Sequence, residues 1–235
     1  MQRIKLSEIT IKKIKNRELE EFIPELYKLE DIVENNPWHN KESVFDHTMS
    51  VLSNLEKIIK NSKKGTKQAL NKIIEKHSRK DLLKVATLLH DIGKKETIAD
   101  LGGGARSCPG HEKKGAQKAK KILKRLNLPS KELKIITDIV RNHGAIHDII
   151  GLGSEDFRKD ILRECGLTHA VGNLENKNFQ KEYKKFKKKF SKTYLELILL
   201  AFADTIGSYL KKNKPAEFRH RINFYKKELK NLSHF

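Results

Sequence analysis

Cysteine is nearly absent: the 235 residues include two, Cys108 and Cys165, too far apart to form a CxxC pair. That excludes a disulfide framework and a thiolate zinc site, and it suits a reducing compartment. Long apolar runs are missing as well. The N-terminal stretch MQRIKLSEITIKKIKNRELEEF holds no apolar core of a signal peptide. The most apolar segment, Leu195 to Ala203, contains Glu196 and is far shorter than the roughly 20 residues that cross a bilayer. A cytoplasmic protein with no membrane partner is the expectation. Strand signals are also scarce, with no sustained alternation of period two and no Asn-Gly or Asp-Gly turn between apolar runs. Arginine is scarce too: it supplies 10 of the 50 basic residues, the rest being lysine. The net charge of +20 therefore has two readings. It is either a surface for a polyanion or a generic lysine-rich coat, because forked phosphate recognition favours Arg.

What is present is helical periodicity along almost the whole chain. Helices are predicted at about 18–34, 43–60, 67–77, 79–91, 111–127, 130–143, 155–165, 178–190, 192–212 and 216–231. Pro37, Pro109, Pro129 and Pro215 fall between them, and Ser43 and Ser130 stand where N-caps belong. The fold class expected is all-α, a helical bundle. A helical extension over 1–35 precedes a main domain over 36–212, and a C-terminal helix over 213–235 packs on it. The stretch upstream of the main domain is too short for a nucleotidyltransferase active site. The segment from Thr97 to Gly110, with Gly102-Gly103-Gly104, matches no phosphate-loop pattern and reads as a flexible lid or rim loop.

Two helices carry an expensive feature. The helix over 79–91 is apolar around most of its circumference and ends in His90-Asp91, followed by Ile92-Gly93-Lys94. Asp204 sits in the apolar run from Leu197 to Ile206. A carboxylate buried without a partner is costly, so each calls for a compensating cation. His47, in Val44-Phe45-Asp46-His47-Thr48, lies on a third helix whose apolar positions Val51, Leu55 and Ile58 continue from it at helical spacing.

The order His47, His90-Asp91, Asp204, with the pair inside LLHDIGK, resembles the HD superfamily of metal-dependent phosphohydrolases, and implies an HD-domain-like helical bundle. Pro37 to Thr48 looks like the entry to the HD domain fused to bacterial tRNA nucleotidyltransferases. Pro109-Gly110-His111-Glu112-Lys113-Lys114-Gly115-Ala116 and Val140-Arg141-Asn142-His143 are similar to two further segments of it. The resemblance implies that His47, His90, Asp91 and Asp204 bind metal. His111 and His143 supply two more nitrogens for a second ion, and Asp91 bridges the two. Such imidazole and carboxylate donors suit Mn, Fe, Co, Ni, Zn or Mg. Asp91 and Lys94 are the catalytic candidates, with Lys94, Arg141 and His39 as candidate substrate contacts. Otherwise His39, Glu112 and His147 read as surface more than site.

The reaction expected is hydrolysis of a phosphoester in a nucleotide or nucleic acid, a 2′,3′-cyclic phosphate among them, by a metal-activated water. The acidic signature of (p)ppGpp hydrolases is absent, Lys94-Lys95 standing in its place, and Gly144-Ala145-Ile146 breaks the cyclic-di-GMP pattern. Three alternatives stay open: a single-metal nucleotide phosphatase, an HD-type single-strand nuclease, and a non-catalytic basic RNA-binding protein with a vestigial site. The aromatics Phe179, Tyr183, Phe186 and Phe190 form a stripe that reads as core packing. The lysine face opposite is the part offered to RNA.

Overall fold

The structure is a computed structural model that describes residues 5–151, 174 and 177–232. The helix predicted over 155–165, and Cys165, lie outside these residues. The helices are α1 (Ile11–Lys15), α2 (Pro24–Tyr27), α3 (Val44–Asn61), α4 (Lys64–Asn71), α5 (Arg79–Leu89), α6 (His111–Arg125), α7 (Ser130–Asn142), α8 (Ala145–Gly151), α9 (Lys177–Lys189), α10 (Tyr194–Gly207), α11 (Leu210–Asn213) and α12 (Pro215–Asn231). The fold is all-α in class, with one small sheet added. No helix among the described residues is long and apolar enough to cross a membrane.

The centre of the bundle is α5, whose Leu82, Leu83, Val85, Ala86, Leu88 and Leu89 are all fully buried. It lies against α3 and α7, while α10 packs along α3 and α12 covers α10. Helices α3 and α5 start in the same way. The Ser43 hydroxyl accepts from the Asp46 amide at 3.0 Å, and the Ser78 hydroxyl from the Asp81 amide at 3.1 Å. Each satisfies an orphan donor of the first turn and fixes where the helix begins, and hence where His47 and His90 fall. Ser130 is not a cap: Pro129 holds that position, and no side chain caps α7.

Three expectations are corrected. The helix predicted over 18–34 is replaced by turns, the short α2 and a strand, because Pro24 can enter a helix only at its first turn and stands at the start of α2. A four-stranded antiparallel sheet is present, in the order β2-β1-β4-β3, from β1 (Val33–Asn36), β2 (His39–Ser43), β3 (Ala99–Asp100) and β4 (Arg106–Ser107). The segment read as a loose lid is the β3–β4 hairpin of this sheet. Its turn uses Gly102, Gly103 and Gly104 at φ of 83°, 59° and 79°, where only glycine sits without strain. Asn35 on β1 pairs with Arg106 on β4, and the Asn35 amide donates to the Gly104 carbonyl at 2.8 Å.

The aromatic stripe of α9 is core, as expected. Phe179, Tyr183 and Phe186 are buried, with Phe179 stacked on Tyr183 at 5.3 Å and edge-on to Phe224 of α12 at 6.0 Å.

Candidate metal centre

Asp91 is the hub. It lies just past the end of α5, with Lys94 one turn on, and only 2% of its side chain is exposed. Its Oδ1 is 3.3 Å from His111 Nε2 and 3.6 Å from His143 Nε2, and its Oδ2 is 3.2 Å from His90 Nε2 and 3.8 Å from His47 Nε2. His47 Nε2 also meets Asp204 Oδ1 at 3.0 Å. All six residues expected to bind metal thus converge, from α3, α5, α6, α7 and α10.

The far side of each ring decides its tautomer. His90 Nδ1 lies 2.7 Å from the Thr87 carbonyl, His111 Nδ1 2.7 Å from the Cys108 carbonyl, and His143 Nδ1 2.8 Å from the Val140 carbonyl. A carbonyl can only accept, so all three Nδ1 atoms carry the hydrogen. In the neutral rings the Nε2 lone pairs then face Asp91 and one another, with His111 and His143 Nε2 3.2 Å apart. Lone pairs aimed at a carboxylate repel unless a cation lies between them. His90 Nε2 is buried without a hydrogen-bond partner, while Asp91 Oδ2 has Lys94 Nζ at 2.9 Å. Donors fixed by carbonyls behind them and orphaned in front fit a divalent ion.

Electrostatics agree. Burial alone would raise the Asp91 pKa, but the neighbouring His90, the Lys94 charge and the His111 contact outweigh it and hold the carboxyl well below the usual range. Burial likewise opposes the charge on His111, and Asp91 overrides it and raises that ring. His143 is pushed down to about 4 by burial and by His111 beside it. Without an ion, a proton on His111 supplies the missing positive charge.

Strand β1 and the β1–β2 hairpin supply His39 and two carboxylates that the sequence reading missed, Glu34 and Glu42. Glu34 is buried and ion-paired to Lys94, whose Nζ is also 2.9 Å from Asp91 Oδ2. His39 is buried, 3.4 Å from Lys94 and 3.2 Å from Glu42. Glu42 Oε1 also lies 3.5 Å from His47 Nδ1, behind the face that His47 turns to Asp204. The signal for this hairpin was Asn36-Pro37, a turn-forming pair outside the Asn-Gly and Asp-Gly patterns. His39 and His147, read mainly as surface, are both buried in the cluster: His147 Nε2 is 3.2 Å from Asp204 Oδ2. Glu112 is half-buried, 3.7 Å from His111 Nδ1. Arg141, two residues before His143 in the last turn of α7, is exposed and makes no hydrogen bond or ion pair with the cluster.

A family model described as HD domain matches residues 44–208. The chain belongs to the HD domain family, whose members are mostly metal-dependent hydrolases. One stretch of 78 residues is 41% identical to the A-adding tRNA nucleotidyltransferase of Deinococcus radiodurans, covering 32% of this chain. The chain spans only 18% of that protein's length.

Proposed function

We propose that the chain hydrolyses a phosphoester of a nucleotide or nucleic-acid end, a 2′,3′-cyclic phosphate among the substrates, by means of a metal-activated water. The observation that carries the reading is the convergence on Asp91 of the His90, His111 and His143 Nε2 atoms, each ring fixed by a carbonyl behind its Nδ1. His47, His90, Asp91 and Asp204 would hold one divalent ion, and His111 and His143 a second; when bound, such ions would supply Lewis acidity toward a phosphoryl oxygen and a lowered pKa for water. The protein holds the donors, keeps Asp91 ionised and places Lys94 at the edge of the cluster, where its charge stabilises phosphoryl oxygens. The nucleic-acid side of the proposal is supported by the partial likeness to the tRNA enzyme and by the net charge of +20. The lysines of α9, opposite its buried stripe, are the surface proposed to contact RNA.

The test is turnover of bis-(p-nitrophenyl) phosphate and of p-nitrophenyl phosphate with added Mn²⁺, Co²⁺, Ni²⁺ or Mg²⁺, followed by 2′,3′-cyclic nucleotides and short oligonucleotides. Activity on the diester, removed by chelator and by Asp91→Asn, supports the reading. Activity on the monoester alone favours a nucleotide phosphatase, and cleavage inside an oligonucleotide favours a nuclease. No metal uptake and no turnover leaves a basic binding protein.

A further inference from the structure

Helix α12 lies beyond the span that the HD model matches, yet it reaches the metal cluster through one imidazole. His147 of α8 has its buried Nε2 3.2 Å from Asp204 Oδ2, an ion-pair contact that falls short of hydrogen-bond geometry. Its Nδ1 is 3.0 Å from the Tyr225 hydroxyl and 3.4 Å from Arg221 Nη1. The Arg221 side chain is fully buried. Its Nε donates to Glu217 at 2.8 Å and its Nη1 to the His147 carbonyl at 3.2 Å. The guanidinium also lies over the Trp38 ring at 5.1 Å, and that ring meets His147 edge-on at 4.9 Å. The imidazole is therefore held on three sides.

The tautomer follows from the donors. An imidazole whose Nδ1 accepts carries its one N–H on Nε2. Arg221 has donors and no acceptor, so Nδ1 beside it must accept. The hydrogen is left on Nε2, facing Asp204. This is the reverse of His90, His111 and His143, whose Nδ1 atoms are spent on carbonyls and whose Nε2 atoms are turned to Asp91. His147 is thus unsuited to be a ligand and suited to hold one.

We propose that His147 is a positioning residue of the metal centre: it donates Nε2–H to Asp204 Oδ2, and Tyr225 and Arg221 of α12 impose the tautomer that lets it do so. Asp204 then keeps Oδ1, the oxygen beside His47, turned toward the ion. The inference rests on the metal-centre reading above and assigns α12 to its outer shell. Groups in that shell change metal affinity by about 10–100-fold when they are removed.

The test is Co²⁺ titration of the full chain, followed by equilibrium dialysis and by the visible ligand-field spectrum. His147→Phe is expected to weaken binding about 10–100-fold, with the stoichiometry and the band positions unchanged. Tyr225→Phe removes a single oxygen; it shifts affinity the same way by less, and its thermal melt shows that it is folded. His147→Gln keeps an amide donor and recovers part of the loss. Altered bands or one ion fewer in His147→Phe would show that His147 is itself a ligand and overturn the proposal. Wild-type affinity in both His147→Phe and Tyr225→Phe would also overturn it. A wild-type chain that takes up no Co²⁺ sinks the metal-centre reading, and this inference with it.

Discussion

His111 Nε2 and His143 Nε2 lie 3.2 Å apart while both rings give their Nδ1 hydrogens to carbonyls one turn earlier in the chain. Neither ring can turn away without losing that bond, so the pair is set for an ion or for a shared proton. Loading a metal must therefore displace the proton that Asp91 stabilises on His111. In weakly buffered solution near neutral pH, Mn²⁺ or Co²⁺ uptake should release protons from His111 and also from His47, which, against the effect of burial, Asp204 and Glu42 raise to about 10, so the release should fade only as pH approaches that value. His111→Ala should remove the His111 share and leave that of His47. His111→Ala and His143→Ala should each lower the ion count from about two to about one, two being the number that clamps a phosphoryl group in binuclear sites. A single ion in the wild type, unchanged in both variants, would leave one-metal chemistry standing.

The distance between Asp91 and His111 is set by a close approach of two backbones. A Cβ on Gly93 would lie 2.4 Å from both the Gly115 amide nitrogen and the His111 carbonyl oxygen. Both are backbone atoms of α6 and cannot swing aside. Gly93→Ala should therefore push the turn after α5 away from α6, separating the two ligands. Expected are a loss of about 1–3 kcal/mol of stability, the cost of overpacking, and weaker metal binding. Urea unfolding in chelator separates the first effect from the second; a variant matching wild type in both would show that the contact is soft.

Asp91 and Asp204 were legible because a carboxylate in or at the end of an apolar helix violates the hydrophobic pattern, whereas His47, His111 and His143 stood out only through the resemblance to the HD superfamily. Helix existence was legible for the same reason of period, and α3, α6, α7, α9 and α12 fall within a few residues of expectation. The sheet was not legible. Strands β3 and β4 are two residues long, too short for alternation to register, and β1 reads Val33-Glu34-Asn35-Asn36, with one apolar residue. With the sheet went Glu34 and Glu42, whose roles depend on partners far along the chain. His147 was passed over because a histidine four residues after another looks like surface until α12 is seen against it.

Lys94 faces two tasks, and one substitution tests both. Its Nζ is paired with Glu34 and lies 2.9 Å from Asp91 Oδ2, and these carboxylates outweigh burial and raise its pKa, so it stays charged. Lys94→Ala should keep the metal and lose about 10²–10³ in turnover, the scale for removing one charge-stabilising donor. It should also destabilise the chain by roughly 3–5 kcal/mol, because Glu34 is left buried without its cation. Adding Glu34→Gln should recover stability and leave turnover low. Recovery of turnover in the double variant, or loss of metal in the single one, would contradict the assignment.

Acid sensitivity has a source away from the metal cluster. Glu132 of α7 is fully buried, and its Oε1 accepts from the amides of Glu75, Lys76 and His77 at 3.2, 2.7 and 2.8 Å. Its Oε2 lies 2.6 Å from His77 Nδ1. Burial by itself would raise this carboxyl, but the His77 contact and the three amides outweigh it and lower its pKa from 4.5. A depressed folded-state pKa means that the stabilisation is complete above the unfolded value and is lost as pH falls through the folded one. Glu132→Gln keeps the shape and removes the charge. It should cost about 1–3 kcal/mol at pH 7, where hydrogen bonds to a charged acceptor are lost. The gap between variant and wild type should narrow once pH drops below the usual carboxylate range. Urea midpoints at about pH 7 and pH 3 measure both; a gap that stays constant would mean that the loop over 75–77 is held by shape and not by the charge of Glu132.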